Sequence, residues 1–127
     1  MPLIAHAIDI VHVPRIARIL HEQGERFLSR VFTPAESQYA LSAPNPAERL
    51  AARFAAKEAA FKALHTGWPL GVAWTDVEVA KLPSGAPVYH FHNAFAQLAH
   101  DRGAVNWLLS LSHSGEYAIA SAIASSD

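Results

Sequence analysis

The fold of this chain is decided by residues 53–62, which read RFAAKEAAFK. At about 100° per residue, the alanine-rich stretch around them has the period of a helix with two apolar stripes. One stripe carries the bulky side chains Leu50, Phe54, Phe61 and Leu64. The other carries the alanines at positions 51, 52, 55, 56, 59 and 63. We therefore expect a central helix that is packed on two sides.

Four charged residues interrupt this otherwise apolar helix. Lys57 falls inside the bulky stripe, and Glu58 and Lys62 stand one turn apart between the two stripes. Burying such charges is costly unless a partner neutralises them. Two explanations stay open from these residues alone. One is an internal Glu58–Lys62 ion pair, and the other is a bound metal with phosphates, to which Arg53 could also contribute.

Two further blocks flank the central helix in the sequence. Residues 7–10 read AIDI, which places Asp9 in an apolar, strand-like run, and residues 109–120 read LSLSHSGEYAIA. In this order the three blocks resemble the holo-[acyl-carrier-protein] synthase family, the short type of 4′-phosphopantetheinyl transferase. Its usual pattern is Gly-x-Asp, then Phe-x-x-Lys-Glu-Ala-x-x-Lys, then Ser-(Leu/Ile)-(Ser/Thr)-His. The resemblance extends over nearly the whole chain.

The resemblance implies an enzyme that moves 4′-phosphopantetheine from coenzyme A to a serine of an apo acyl carrier protein and releases 3′,5′-ADP. It implies Asp9 and Glu58 as ligands of Mg²⁺, a hard cation that prefers oxygen and keeps waters. It also implies that Lys57 and Lys62 contact phosphate. The catalytic residues are then Asp9, Glu58 and Lys62.

The same resemblance implies a wider set of residues that bind coenzyme A: Arg53, Lys57, Lys62, His65, Thr66, Gly67, Ser112 and His113. Considered without the resemblance, Asp9 more often caps a turn or a helix, and His113 is more often a surface turn residue. The chain also departs from the family pattern, because Ala7 and His65 stand where family members usually have glycine. Two interpretations of His65 stay open: it borders bound coenzyme A, or it is a helix-end histidine that turns toward solvent and interacts only with the last carbonyls.

A basic surface for the acidic carrier protein is expected on the first helix. Arg15 matches a family arginine that meets the carrier, and Arg18 and Arg26 are expected on the same helix to extend the patch. The alternative is an ordinary solvated helix face, since Glu22 and Glu25 are mixed with the arginines.

Composition narrows the possible functions. A length of 127 residues fits one domain over residues 1–127. A formal net charge of −1 argues against nucleic acid or an anionic membrane as a partner, and the lack of cysteine excludes disulfides and thiolate chemistry. No apolar run reaches the roughly 18 residues of a membrane span, and residues 1–6 lack the basic start of a signal peptide. We expect a cytoplasmic protein.

Periodicity and turn residues predict the order of the elements. Strands are expected at 3–10, 74–81, 88–91, 105–111 and 117–124, and helices at 13–32, 34–41, 46–65 and 94–101. The first strand should be buried, the first helix loosened at Gly24, and a capping box at residues 33–36 should start the second helix. Asn45 and Asn93 should start the next two helices in a similar way. The fold class is α+β, with an antiparallel sheet packed against helices: the phosphopantetheinyl transferase fold of single-unit type.

A single unit of this length implies self-association, because longer phosphopantetheinyl transferases resemble two such units with the site between them. We expect a homotrimer with interfacial sites, held by the central helix and the sheet edges. Whether the alanine stripe packs inside the chain or at that interface stays open. Two competing functions are a non-catalytic coenzyme A or nucleotide-binding module with the same fold and a magnesium-dependent phosphohydrolase.

Overall fold

The computed structural model describes residues 2–65 and 71–127. Its helices and strands are β1 (Leu3–His12), α1 (Val13–Gln23), α2 (Glu25–Val31), α3 (Pro34–Leu41), α4 (Pro46–Ala63), β2 (Val77–Lys81), β3 (Pro87–Phe91), α5 (Asn93–Asp101), β4 (Asn106–Ser114) and β5 (Tyr117–Ser125). The strands form two antiparallel sheets, ordered β1-β5-β4 and β2-β3. The predicted α+β class is confirmed.

Helix α4 packs its alanine stripe on the three-stranded sheet, whose central strand β5 also presents alanines. Ala118, Ala120 and Ala122 on β5 are fully buried, and they share one core with Ala55 and Ala59 of α4. Small side chains on both surfaces let the helix backbone approach the sheet closely. The alanine stripe is therefore used inside the chain.

The bulky stripe of α4 faces an aromatic cluster on the other side of the helix. Phe54 stacks on Trp74 at 4.9 Å between ring centroids, and Phe61 meets Phe95 edge-on at 5.4 Å. Such pairs add to the stabilisation that comes from burial of the rings. This cluster holds α5 and the β2–β3 hairpin against α4, which is thus covered on two sides as predicted.

Strand β1 is buried on one face only, so the prediction of a buried strand is wrong for half of its residues. Its exposure alternates along the strand, and Ile8 and Ile10 are 56% and 58% exposed. Leu108 on β4 is 68% exposed on the same side of the sheet. We call this side, with Ile4, Ile8, Ile10 and Leu108, the outer sheet face. These four side chains are apolar and face away from α4, and the same side of the sheet also carries His6, Ser110 and Ser121.

Backbone geometry divides the helix predicted at 13–32 into two. Gly24 has φ +55° and ψ −127°, values outside the helical region, so α1 ends before it and α2 begins after it. Arg18 and Arg26 therefore lie on different helices, which corrects their predicted placement on one.

The helix starts follow the sequence only in part. Thr33 and Glu36 form the predicted capping box of α3, since the Glu36 amide donates to Thr33 Oγ1 and the Thr33 amide donates to Glu36 Oε1. Asn45 makes no capping hydrogen bond, and Asn93 is the first residue of α5 rather than its cap. The strand predicted at 74–81 starts only at Val77, because a 3₁₀ turn occupies Trp74–Asp76. No helix of the described ranges is long and apolar enough to cross a membrane.

Candidate active site

Asp9, Glu58 and Lys62 meet where β1 passes α4. Glu58 and Lys62 are one turn apart on the helix, and Lys62 reaches across to the strand. Its Nζ donates to the carbonyl oxygen of Ile8 at 2.6 Å and lies 3.5 Å from Asp9 Oδ1. Residues that are about 50 positions apart in sequence are thus brought together, as the resemblance implies. We call this group the acid site.

The two carboxylates of the acid site are held close enough to repel each other. Burial raises the pKa of Asp9, and Lys62 and Arg15 oppose that rise. Burial also raises the pKa of Glu58, and the negative charge of Asp9 raises it further. Two partly buried anions side by side are unfavourable unless positive charge is supplied.

A divalent cation bound by oxygen fits this arrangement. In the described ranges, no group of three or more His, Cys, Asp or Glu side chains is placed to hold a metal ion. Mg²⁺ does not need such a group, because it is commonly bound by one or two carboxylates together with waters and substrate phosphates. The donor set of Asp9 and Glu58 therefore suits Mg²⁺ better than a metal that requires a full protein cage.

Lys57 lies in the core, where it is not exposed to a ligand, and this corrects the phosphate-binding role implied for it. Its side chain is completely buried, and its Nζ donates to Glu36 Oε1 at 2.8 Å, to the Val77 carbonyl at 2.6 Å and to the Trp74 carbonyl at 3.2 Å. An ammonium group has three protons, so these acceptors use all of them. Burial lowers the pKa of Lys57, and the Glu36 carboxylate opposes that shift.

A second polar site lies between α3, α4 and β4, in a pocket of about 250 Å³. We call it the basic pocket. Its lining residues are Tyr39, Glu48, Arg49, Ala52, Arg53, Leu111, Ser112 and His113. It thus brings together Arg53, Ser112 and His113, three residues that the resemblance assigns to coenzyme A.

Arg53 is the most buried cation of the basic pocket. It is only 5% exposed, and its Nε has no hydrogen-bond partner among the described residues. Burial lowers the pKa of its guanidinium. Sequence reasoning missed Arg49 and Tyr39. Arg49 could have been found, since it stands one turn before Arg53 on the same helix, whereas nothing local in the sequence pointed to Tyr39.

The acid site and the basic pocket lie at opposite edges of the three-stranded sheet. Asp9 on β1 pairs with Ala120 on β5, which pairs in turn with Leu111 on β4. Two strand spacings separate β1 from β4, or about 10 Å. One chain therefore presents the acids and the anion-binding groups on two different sides of α4.

The remaining predicted residues that the structure describes lie on α1, on α2 and directly after α4. Arg15 and Arg18 are exposed on α1, and Arg26 is exposed on α2. The charge of Arg15 acts on both Asp9 and Glu58, so it borders the acid site. His65 follows the end of α4, is exposed, and has a positive φ of 52°. Thr66 and Gly67 lie outside the described residues.

Comparisons with known proteins agree with these features. The model of the 4′-phosphopantetheinyl transferase superfamily matches residues 6–122. A holo-[acyl-carrier-protein] synthase of Koribacter versatilis is 50% identical over 121 residues, which cover 95% of this chain and 97% of that protein. The crystal structure of the Neisseria meningitidis holo-[acyl-carrier-protein] synthase has a TM-score of 0.88 at 30% identity, covering 97% of this chain and 98% of that one.

A second crystal structure is that of the Helicobacter pylori holo-[acyl-carrier-protein] synthase in complex with coenzyme A. It has a TM-score of 0.83 at 28% identity and covers 94% of this chain and 99% of that one. Fold, motifs and sequence identity over most of the chain thus agree. The chain belongs to the 4′-phosphopantetheinyl transferase superfamily.

Proposed function

We infer that this chain is an enzyme that transfers 4′-phosphopantetheine from coenzyme A to a serine of an apo acyl carrier protein, releasing 3′,5′-ADP. The observation that carries the inference is the meeting of Asp9, Glu58 and Lys62 at the crossing of β1 and α4. Relatives that match nearly the whole chain are holo-[acyl-carrier-protein] synthases, and one similar structure contains coenzyme A.

In this reaction the serine oxygen forms a bond to the phosphorus that carries pantetheine. The bond from that phosphorus to the bridging oxygen breaks, 3′,5′-ADP leaves with that oxygen, and the serine proton passes to water. The phosphate oxygens carry negative charge throughout, so catalysis depends on positioning and on fixed positive charge.

Asp9 and Glu58 would hold Mg²⁺, and when bound the ion supplies positive charge to the pyrophosphate and polarises it. Lys62 supplies a further positive charge beside them. The carbonyl of Ile8 holds its ammonium group at the strand, while the side chain stays about half exposed. It is therefore both fixed in place and accessible to a phosphate oxygen.

The basic pocket suits the nucleotide end of coenzyme A. Arg49 and Arg53 offer guanidinium groups, which bind phosphate with two parallel hydrogen bonds, and Ser112 and His113 line the same pocket. The buried Nε of Arg53 has no hydrogen-bond partner among the described residues, so the hydrogen-bonding capacity of this guanidinium is not fully used within the chain. Arg15, Arg18 and Arg26 remain the proposed surface for the acidic carrier protein.

We propose in addition that the active enzyme is a homotrimer with sites between chains. Two observations support this part. The acid site and the basic pocket lie on different sides of α4, so a neighbouring copy can bring the two together. The apolar side chains of the outer sheet face are also exposed in the single chain. We place the contact on that face and no longer on the central helix, because α4 buries its alanines inside the chain.

The transfer reaction is tested by incubating the protein with coenzyme A, Mg²⁺ and an apo carrier protein, and weighing the carrier by mass spectrometry. We expect the carrier to gain the mass of one phosphopantetheine group. Binding of coenzyme A without transfer would favour the non-catalytic module. Release of nucleotide without any carrier would favour a phosphohydrolase.

The acid site is tested by Asp9→Asn and Glu58→Gln, with Glu22→Gln on exposed α1 as the matched control. We expect both site variants to lose at least about a hundredfold in turnover, since each leaves the phosphate charge poorly neutralised. They should also bind Mg²⁺ more weakly in calorimetry while melting as folded proteins. Near-normal turnover in either variant would remove that residue from the site.

The single-domain organisation and the cytoplasmic location stay predictions.

A further inference from the structure

Three cations surround the aromatic ring of Tyr39. The guanidinium carbons of Arg49 and Arg53 lie 4.0 Å and 4.1 Å from the ring centroid, and the ammonium nitrogen of Lys81 lies 5.1 Å from it. All three distances are within the range of cation–π attraction. We call Tyr39 with Arg49, Arg53 and Lys81 the Tyr39 cluster.

The cations of the Tyr39 cluster are not held in place by ion pairs with carboxylates. Within the described ranges, none of the three forms an ion pair with Asp or Glu. Glu36 attracts Arg53 from a distance, but its Oε1 is bound to Lys57. Glu48 is the one carboxylate that lines the basic pocket among the described residues. Like charges are thus collected around a neutral ring.

The ionisation of Tyr39 reflects this excess of positive charge. Burial by itself raises the pKa of the hydroxyl. The hydrogen bond from Lys81 and the charges of Arg49 and Arg53 outweigh that effect, and the pKa is lowered. The excess of positive charge around the ring therefore favours the binding of an anion.

Tyr39 also holds Arg49 through its backbone. Arg49 Nη1 donates to the Tyr39 carbonyl at 2.8 Å and to Ser42 Oγ at 3.4 Å. The guanidinium is thereby fixed both above the ring and at the end of α3. A side chain that is ordered before binding loses less conformational entropy when the ligand arrives.

We propose that Tyr39 is a positioning residue for coenzyme A, which uses the face of its ring to hold Arg49 and Arg53 in place for a phosphate group. The proposal rests on the proposed function, because the ligand is the coenzyme A of that reaction. Tyr39 acts through the two arginines. Its ring is the main element and its hydroxyl is secondary, since the ring lies under both guanidinium groups. The hydroxyl accepts a 3.3 Å bond from exposed Lys81 and adds a hydrogen-bonding contribution to Arg53.

The first test replaces Tyr39 by phenylalanine and then by phenylalanines with one, two and three fluorines on the ring. Fluorine withdraws electron density from the ring face and hardly changes its size, so it weakens cation–π attraction without disturbing packing. The dissociation constant of coenzyme A is measured by calorimetry. We expect Tyr39→Phe to bind within about twofold of the original chain, and affinity to fall stepwise by about tenfold across the series.

The second test is a double-mutant cycle of Tyr39→Leu with Arg49→Met. We expect Tyr39→Leu alone to raise the KM for coenzyme A about tenfold, with kcat and the KM for the carrier little changed. The effect should shrink in the Arg49→Met background, because one of the groups that Tyr39 positions is then gone. A purely structural role would change kcat, both KM values and the melting temperature together.

The outcomes separate this inference from the proposed function. If the original chain does not bind coenzyme A, both are wrong. If it binds coenzyme A and transfers phosphopantetheine, but the fluorinated series is flat or the double-mutant effects simply add, the enzyme assignment stands and the role of Tyr39 is overturned. A stepwise loss together with a non-additive cycle supports the proposal.

Discussion

Lys57 and Glu36 form an ion pair in the core, with 2.8 Å between Lys57 Nζ and Glu36 Oε1 and with both side chains almost completely buried. Glu36 also accepts from the amides of Thr33 and Val79, and Lys57 also donates to the Val77 carbonyl. The pair therefore ties α3, α4 and β2 together. Glu58, which directly follows Lys57 in the sequence, belongs to the acid site instead.

The two lysines of the central motif should respond to the same substitution in opposite ways. Lys57→Met leaves the Glu36 carboxylate buried without its cation, which should cost about 3–5 kcal/mol of unfolding free energy. Lys62→Met removes a half-exposed ammonium group and should cost less than about 1 kcal/mol. Turnover should show the reverse, with a loss of about a hundredfold in folded Lys62→Met.

Urea unfolding and the transfer assay check this pair of variants, and each variant serves as the control for the other. A stable Lys57→Met protein that binds coenzyme A poorly would return Lys57 to the binding site. A fully active Lys62→Met protein would remove Lys62 from it.

Arg15→Glu and Arg18→Glu should weaken binding of the carrier protein more than binding of coenzyme A. A reversed charge opposes an acidic partner, so we expect the KM for the carrier to rise about tenfold and to become less dependent on salt. Because Arg15 acts on Asp9 and Glu58, Arg18→Glu gives the cleaner separation. Arg102→Glu, an exposed change after α5, is the control. An equal loss of affinity for both substrates would contradict a carrier-binding surface on α1.

Assembly should depend on the outer sheet face. The double substitution Ile8→Asp with Leu108→Asp places two charges on that face, and we expect light scattering to show a trimer becoming a monomer with little transfer activity. The control is Leu41→Asp with Leu82→Asp, two leucines that are exposed elsewhere. A fully active original chain with the mass of one protomer would refute the trimer.

His65→Gly should stabilise the protein. A non-glycine residue at a φ of 52° pays a steric penalty that glycine avoids, so we expect a gain of about 0.5–1 kcal/mol. The control is His100→Gly, an exposed histidine inside α5, which should lose a few tenths of a kcal/mol. Thermal melts show whether each substitution raises or lowers the stability of the protein. The coenzyme A affinity of His65→Gly also tests whether His65 borders the ligand, which stays a prediction.

Local patterns in the sequence were sufficient for the central helix and the capping box of α3, whereas the acid-site residues were proposed from the family resemblance. The helix period places Glu58 and Lys62 one turn apart whatever surrounds them. The capping box is likewise a contact between residues three positions apart. The motif order also identified the family, because it connects Asp9 to that helix without any knowledge of the path between them.

Only the tertiary structure determined which residues contact each charged side chain and which apolar faces are covered. The sequence marks Lys57 as a buried charge, but its partner Glu36 is 21 residues away and is fixed only when α3 packs on α4. The position of Arg53 beside Tyr39 and His113, away from Asp9, depends on the order of strands in the sheet. Periodicity reports that a face is apolar, whereas the long-range packing of the chain determines what covers it. For this reason the alanine stripe and the outer sheet face could be recognised as apolar from sequence, while only the fold buries one and exposes the other.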